Sequence, residues 1–346
     1  MKRLLFKTAG ATGFARLASF INRKEPLVLA FHGVTSTPPA GSFFNHQGKH
    51  LYQPTFRRFM TRLKKCYQPV SLDRILDWIE HLGEVPERAV AVTFDDGYRN
   101  VYTQALPVLL ELEIPATVFV VTDFAFGGRP LWTDRLVSAL GLTRVQELRF
   151  ELSGRSFTMP LDSWQAKCRA DDTLRAMLKS LPDGTRTEKL QAILESLDLP
   201  VVDPVSAWED HRALSPGELR ELSLNDVQVG SHGCSHAILS RLGADQIEEE
   251  VTASRALIED AIGRPCRAFS YPNGAPGDFD RETRAKVVAA GYRCAVTTVK
   301  ARIGREQDPY EIPRSILADN RTSPAEFDVG VSGLRDLLRP GHRGKE

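Results

Sequence analysis

Two adjacent carboxylates, Asp95 and Asp96, follow the apolar run 89–94 and precede Gly97. Like charges side by side are costly unless a cation or a proton lies between them. Successive residues of an extended chain face opposite ways. One carboxylate can therefore ligate a metal while the other faces a water; the plain alternative is a polar Asp-Gly turn. A second cluster reads Gly230-Ser231-His232-Gly233-Cys234-Ser235-His236, and it holds two of the eight histidines within five residues. Imidazole is a usual ligand for zinc and similar ions. The alternative is a pair of solvent-exposed loop histidines, with Cys234 either a thiolate ligand or a small buried side chain. A third cluster, Tyr271-Pro272-Asn273-Gly274, is a tight-turn sequence. Its backbone N–H groups can face a cavity and stabilise an oxyanion, or simply close a turn.

The surrounding pattern says what must position these residues. Runs 27–31, 89–94, 114–121, 227–230, 267–271 and 294–298 have the length and composition of buried strands. Between them, 55–67, 71–81, 100–112, 215–222, 244–263 and 280–290 have helical spacing. Glu248, Glu249 and Glu250 are expected on the solvent side of 244–263. Ser215 begins a capping box with Pro216 at the first helical position. Strand–helix–strand at this spacing gives an α/β fold with a mostly parallel sheet in two blocks. Such folds place active sites at the C-terminal ends of strands, where all three clusters fall. The stretch 126–212 interrupts the alternation with helix-like segments at 162–181 and 187–197. Five regions follow: an arm (1–26), the first part of the catalytic domain (27–125), a helical insert (126–212), the second part (213–325) and a basic, flexible tail (326–346).

The chain has 346 residues, with 45 Lys and Arg against 44 Asp and Glu, a net charge of +1. That balance argues against a nucleic-acid partner, and 42% hydrophobic residues argue against disorder. Cys66, Cys168, Cys234, Cys266 and Cys294 are odd in number and contain no C-x-x-C, which favours a reducing compartment. Lys7, Arg16 and Arg23 interrupt the apolar residues of the N-terminus, so no signal-peptide core is expected. A cytoplasmic location at the inner membrane surface is the expectation. Leu4, Leu5, Phe6, Phe14, Leu17, Phe20 and Ile21 recur at roughly helical spacing. They read as a helix packed on the core or as a basic amphipathic arm, residues 1–23, in peripheral contact with a membrane. The oligomeric state is not encoded in any pattern here.

Taken together, the three clusters identify a family. Thr93-Phe94-Asp95-Asp96-Gly97 resembles the T-F-D-D-G motif of the polysaccharide deacetylases, the NodB-homology group of carbohydrate esterase family 4. His232–His236 is similar to that family's H-[S/T]-x-x-H. Phe31-His32-Gly33-Val34 resembles the start of exopolysaccharide-type members. The resemblance covers about 27–122 and 214–314 and leaves the insert unexplained. It implies a distorted (β/α) barrel of the NodB-homology type. It also implies a metal-dependent carbohydrate N-deacetylase that frees acetate from an N-acetylated glycan or glycan precursor. Asp95 would be the general base. Asp96, His232 and His236 would hold one divalent metal, zinc foremost, with cobalt, nickel or manganese as alternatives. The backbone N–H of Tyr271 would bind the oxyanion, and Tyr98, Pro272 and Trp132 would contact substrate.

The sequence departs from the family pattern in three places. Gly233 stands where Ser or Thr is usual. No late histidine is available as general acid except His342 in the tail, so His32 is assigned that role. Arg267 lies four residues before Tyr271 rather than three, so Arg314 is a candidate to orient Asp95. The competing functions are a glycan-binding homologue without turnover and another metallohydrolase, such as a phosphoesterase, using the same ligands.

Overall fold

The computed structural model describes residues 13–39, 43–152, 154–199, 208–317 and 319–334. Helix α1 (Phe14–Ile21) precedes β1 (Leu27–Phe31), β2 (Gly33–Thr35) and β3 (His50–Tyr52). Next come α2 (Gln53–Cys66), β4 (Gln68–Pro69), α3 (Leu72–Ile79) and β5 (Ala89–Phe94). A π-helical turn, Val101–Ala105, leads into α4 (Leu106–Glu111), then β6 (Ala116–Val120) and α5 (Thr122–Ala125). The insert holds α6 (Trp132–Leu142), β7 (Glu147–Leu152), β8 (Arg155–Pro160), α7 (Trp164–Lys179) and α8 (Asp183–Ser196). The alternation resumes with α9 (Pro216–Leu224), β9 (Val227–Ser231), α10 (Ala244–Ile262), β10 (Ala268–Ser270), α11 (Arg281–Ala289) and β11 (Cys294–Val296). Helix α12 (Pro324–Ser332) ends the described chain.

The main sheet runs β1-β5-β6-β9-β10-β11, every pair parallel, with β4 beside the start of β5. Its strands are continuous apolar runs because helices cover them; all six residues of β5 are buried. The sheet curls, and a short segment bridges its two edges. Ile312 pairs with Val296 on β11, and Ser315 pairs with Leu29 on β1. Arg314 lies on this bridging segment, between two strand ends. Local chemistry fixes the helices around it. Ser71 accepts from the N–H of Arg74 to start α3, and Ser215 with Glu218 forms the capping box of α9.

Three expectations change. The tail does not begin at 326: α12 continues to Ser332, and its Phe327 stacks on Phe59 of α2 at 4.5 Å. Arg335, Arg339, Arg343 and Lys345 lie outside the described residues, as do residues 1–12. Glu250 is buried, because it shares a helical face with Ile247 and Ser254, three residues before it and four after it. The insert adds to its helices an antiparallel hairpin, β7–β8, with Phe150 stacked on Phe157 at 5.3 Å.

Candidate active site

A cavity of about 820 Å³ opens at the C-terminal ends of the strands, lined by His32, Lys49, Asp95, Asp96, His232 and His236 among others. Asp95 is the first residue past β5. Its N–H donates to the Phe31 carbonyl at 2.9 Å, which locks the two strand ends together. Arg314 grips its carboxylate with two parallel bonds, Nη1 to Oδ1 and Nη2 to Oδ2, both 2.8 Å. The guanidinium is held in turn by the Thr297 carbonyl, Thr93 and Ser270. Burial alone would raise the Asp95 carboxyl, yet the Arg314 charge and then His232 outweigh it and hold it below the ordinary range. Asp95 is thus an ionised carboxylate with a fixed orientation.

Asp96 faces the other way, at φ +73°. A non-glycine residue held in this region is strained, and such strain persists where surrounding contacts demand it. The Lys49 ammonium lies 3.0 Å from Oδ2. The second oxygen, Oδ1, is buried and has no hydrogen-bond partner. It lies 3.6 Å from His232 Nε2 and 3.4 Å from His236 Nε2. Burial would raise the Asp96 carboxyl, but Lys49 and then His236 hold it well below its usual range. His232 Nδ1 lies 2.7 Å from the Ser270 carbonyl, the contact that keeps the proton on Nδ1 and leaves Nε2 as a lone-pair donor. Burial pushes His236 down to about 3, so its ring is neutral, as a ligand must be. One orphaned carboxylate oxygen and two imidazole nitrogens, all within 4.8 Å of one another, fit a divalent cation.

Glu250 builds the loop that carries the histidines. Its carboxylate accepts from the N–H groups of Cys234 and Ser235 at 2.7 and 3.1 Å, and from the Ser235 hydroxyl. A Cβ added to Gly233, at φ +78°, would lie 2.7 Å from Glu250 Oε2. Glycine at this position therefore makes room for the buried carboxylate. Cys234 turns its sulfur to the Glu249 and Glu250 carbonyls, and burial pushes its thiol up to about 11. It is a partly buried thiol, apart from the ligand atoms.

The remaining site expectations divide. His32 lines the cavity; burial lowers its imidazole, against the pull of Asp96. Tyr271 lines the cavity too, but its N–H donates to the Val296 carbonyl at 3.2 Å and so is committed to the sheet. The free donor at this turn is the next polar group. Asn273, at φ +60°, also lines the cavity, and its side-chain Nδ2 is buried without a partner. Tyr98 does not reach the cavity. It is fully buried beneath it, with its hydroxyl donating to Asp134 at 2.6 Å and bonded to Lys49. Trp132 faces the insert and a separate cavity, beneath the Arg186 guanidinium. Pro272 is buried behind Gly233, 3.9 Å from a Cβ built there. Arg267 pairs with Asp73 at 3.5 Å beside yet another cavity, one that holds none of these site residues. Lys49, Glu250 and Asn273 were not legible as functional in the sequence, because tertiary neighbours create their roles.

A family model described as polysaccharide deacetylase matches residues 82–139 and 172–295. The poly-beta-1,6-N-acetyl-D-glucosamine N-deacetylase of Escherichia coli K12 is 44% identical over 50 residues, 14% of this chain and 7% of that protein. The protein of the same name from Staphylococcus epidermidis is 28% identical over 109 residues, 29% of this chain and 37% of that one. The chain thus spans well under half the length of these relatives. Among solved structures, the deacetylase PplD of Streptococcus pyogenes, in complex with acetate, superposes with TM-score 0.58 at 13% identity, over 89% of this chain and 98% of that one. IcaB of Ammonifex degensii superposes with TM-score 0.56 at 16% identity, over 89% and 97%. At these identities the structures show a shared fold.

Proposed function

This chain belongs to the polysaccharide deacetylase family, and we propose that it removes the N-acetyl group from an amino-sugar glycan or glycan precursor, with one divalent cation at Asp96, His232 and His236. The observation that carries this reading is the buried, partnerless Asp96 Oδ1 facing two imidazole nitrogens, with the clamped Asp95 carboxylate on the same cavity. A bound cation would supply Lewis acidity, polarising the acetyl carbonyl and acidifying a water. Zinc suits the donor set; cobalt, nickel and manganese are the alternatives.

The protein's own groups do the rest. Asp95 accepts the proton of the attacking water, and Arg314 keeps that carboxylate ionised and aimed. Asn273 Nδ2 donates to the oxygen that becomes negative, the role that the committed Tyr271 N–H leaves open. The proton that Asp95 takes from the water passes to the departing amine through His32, whose imidazole burial keeps neutral and free to accept it first. Lys49 fixes Asp96 so that only Oδ1 faces the histidines. The test is acetate release from an N-acetylglucosamine oligomer, measured with metal content by titration. Binding of one zinc with stoichiometric acetate and free amine supports the reading. Metal and glycan binding without acetate identifies a glycan-binding homologue, and phosphate release from a phosphoester identifies a phosphoesterase.

The arm supports a further part of the proposal. Helix α1 packs through Ala15 and Ala18 onto Val329 and Leu334, and it leaves Phe14, Leu17 and Phe20 exposed at 57%, 56% and 54%. Basic residues flank them: Lys2, Arg3, Lys7, Arg16, Arg23 and Lys24. This composition suits an anionic bilayer surface on the cytoplasmic side, where a lipid-linked or nucleotide-linked precursor would be met. Among the described residues no helix is long and apolar enough to cross a membrane. Vesicle sedimentation tests the arm: Phe14→Asp with Leu17→Asp should abolish binding to phosphatidylglycerol vesicles, and unchanged binding would refute it.

A further inference from the structure

The wall of the catalytic cavity opposite the strand ends comes partly from the insert. Helix α7 lies in it with Arg175 and Lys179, four residues apart and so on one face of the helix. Like charges at this spacing repel, and both side chains are only partly exposed. Arg175 is locked in place. Its Nε donates to Asp171 and its Nη2 to the Thr133 carbonyl, both at 2.8 Å, while Nη1 makes no hydrogen bond among the described residues. His46 Nε2 lies 2.8 Å from Oδ2 of Asp171, the same oxygen that Arg175 binds. Lys179 makes neither a hydrogen bond nor an ion pair among the described residues. Burial, and after it Arg175, lowers its ammonium, and its charge is among those that depress His236.

The other charges on this cavity are already matched. Lys49 is shared between Asp96 and Asp134 at 3.0 and 3.3 Å. Asp319 accepts from the Thr322 hydroxyl at 3.0 Å and the Arg321 N–H at 2.7 Å. Glu326 accepts from Ser323 in the cap of α12. Asp95 belongs to Arg314. What stays unmatched is the Lys179 ammonium and Nη1 of a guanidinium held by its other two nitrogens, on two residues that line the substrate cavity. That is the chemistry of a phosphate or carboxylate subsite.

We propose that Arg175 and Lys179 form an anion subsite, so that the preferred substrate is an N-acetylated amino sugar bearing a phosphate or carboxylate rather than a neutral glycan. This rests on the deacetylase reading above and narrows its substrate class. The insert, the part of the chain that the strand-end motifs do not explain, then sets specificity.

The experiment compares acetate release from three probes: a neutral N-acetylglucosamine oligomer, the anomeric phosphate of N-acetylglucosamine, and N-acetylmuramic acid. The phosphate or the carboxylate probe should exceed the neutral one about tenfold in kcat/KM, and which of them does so identifies the anion. Lys179→Gln should lower kcat/KM about tenfold more for the anionic probe than for the neutral one, mainly through KM. Lys179→Arg should restore the preference. Equal turnover of charged and neutral probes by the unaltered protein overturns the proposal. So does an equal loss on both in Lys179→Gln, the result expected if Lys179 only stabilises the end of α7. If no probe releases acetate, the deacetylase reading fails by itself. Calorimetric titration of the metal-free protein with inorganic phosphate then decides the subsite: binding lost in Lys179→Gln supports it, and no binding overturns it.

Discussion

The barrel and the insert build their parts of the cavity in opposite ways. In the barrel, Asp95 and Ser270 sit at strand ends and find their partners far along the chain. Arg314 and Asp95 are 219 residues apart, and Ser270 and Asp95 are 175 apart. The insert is largely self-contained. Trp132, Leu136, Leu174 and Leu190 share a hydrophobic cluster apart from that of the sheet, joined from outside the insert by Phe43. Arg175 is set by Asp171 and Thr133, within its own helices. Chemistry that requires convergence is carried by the sheet, whose bridging segment leaves Arg314 little freedom. Specificity is carried by a unit with its own core, which can change without moving the catalytic groups.

Breaking the barrel's convergence should cost most. Asp96→Ala should reduce bound zinc below one equivalent and cut acetate release by about a thousandfold, because it removes the ligand that nothing else replaces. Metal analysis with initial rates checks this; full metal occupancy in the variant would move the metal elsewhere. Next comes Arg314→Gln, which leaves Asp95 buried with less compensation. A loss of ~3 kcal/mol in denaturant unfolding and about a hundredfold in kcat is expected. A variant with unaltered stability would show that the pair is not buried in solution.

Asn273→Ala should lower kcat by about a hundredfold with little change in KM or in melting temperature, as expected for a donor engaged mainly in the transition state. A change in KM alone would make Asn273 a substrate-binding group instead. The insert should respond to acid rather than to chemistry. Burial pushes His211 down to about 4, although Asp134 pulls the other way. A folded value below the ordinary one means that the unfolded chain binds the proton first. Stability is then full above about pH 6.5 and falls as pH drops toward about 4. Burial lowers His32 and His50 of the barrel as well, and their part of the slope remains when His211 is replaced. His211→Phe should flatten the curve of melting temperature against pH in that window by a few degrees. An unchanged slope would put the titration elsewhere.

How much of this the sequence carried follows the same division. Asp95, Asp96, His232 and His236 were legible because each cluster is local and follows an apolar run that can only be a buried strand. Arg314 was legible only as one of two candidates, since no local pattern says that residue 314 lies between β11 and β1. The Tyr271 N–H was misassigned because its hydrogen bond to Val296 crosses strands. Glu250 was placed in solvent on charge, although its spacing from Ile247 and Ser254 puts it on the buried face. The hairpin left a usable signal: Leu148, Phe150 and Leu152 alternate, as do Phe157 and Met159. Asn273 showed only as part of a turn cluster, and Lys49 and Lys179 left no signal. Their roles depend on which neighbours lack partners, and that exists only in three dimensions.

The most direct test of the account is a paired assay of the unaltered protein and Asp95→Asn, both loaded with zinc, on an N-acetylglucosamine oligomer. Acetate and free amine are expected in equal amounts from the unaltered protein. A rate lower by about a thousandfold is expected in Asp95→Asn with zinc still bound. No acetate from the zinc-loaded protein, or equal rates from the two, would contradict the account.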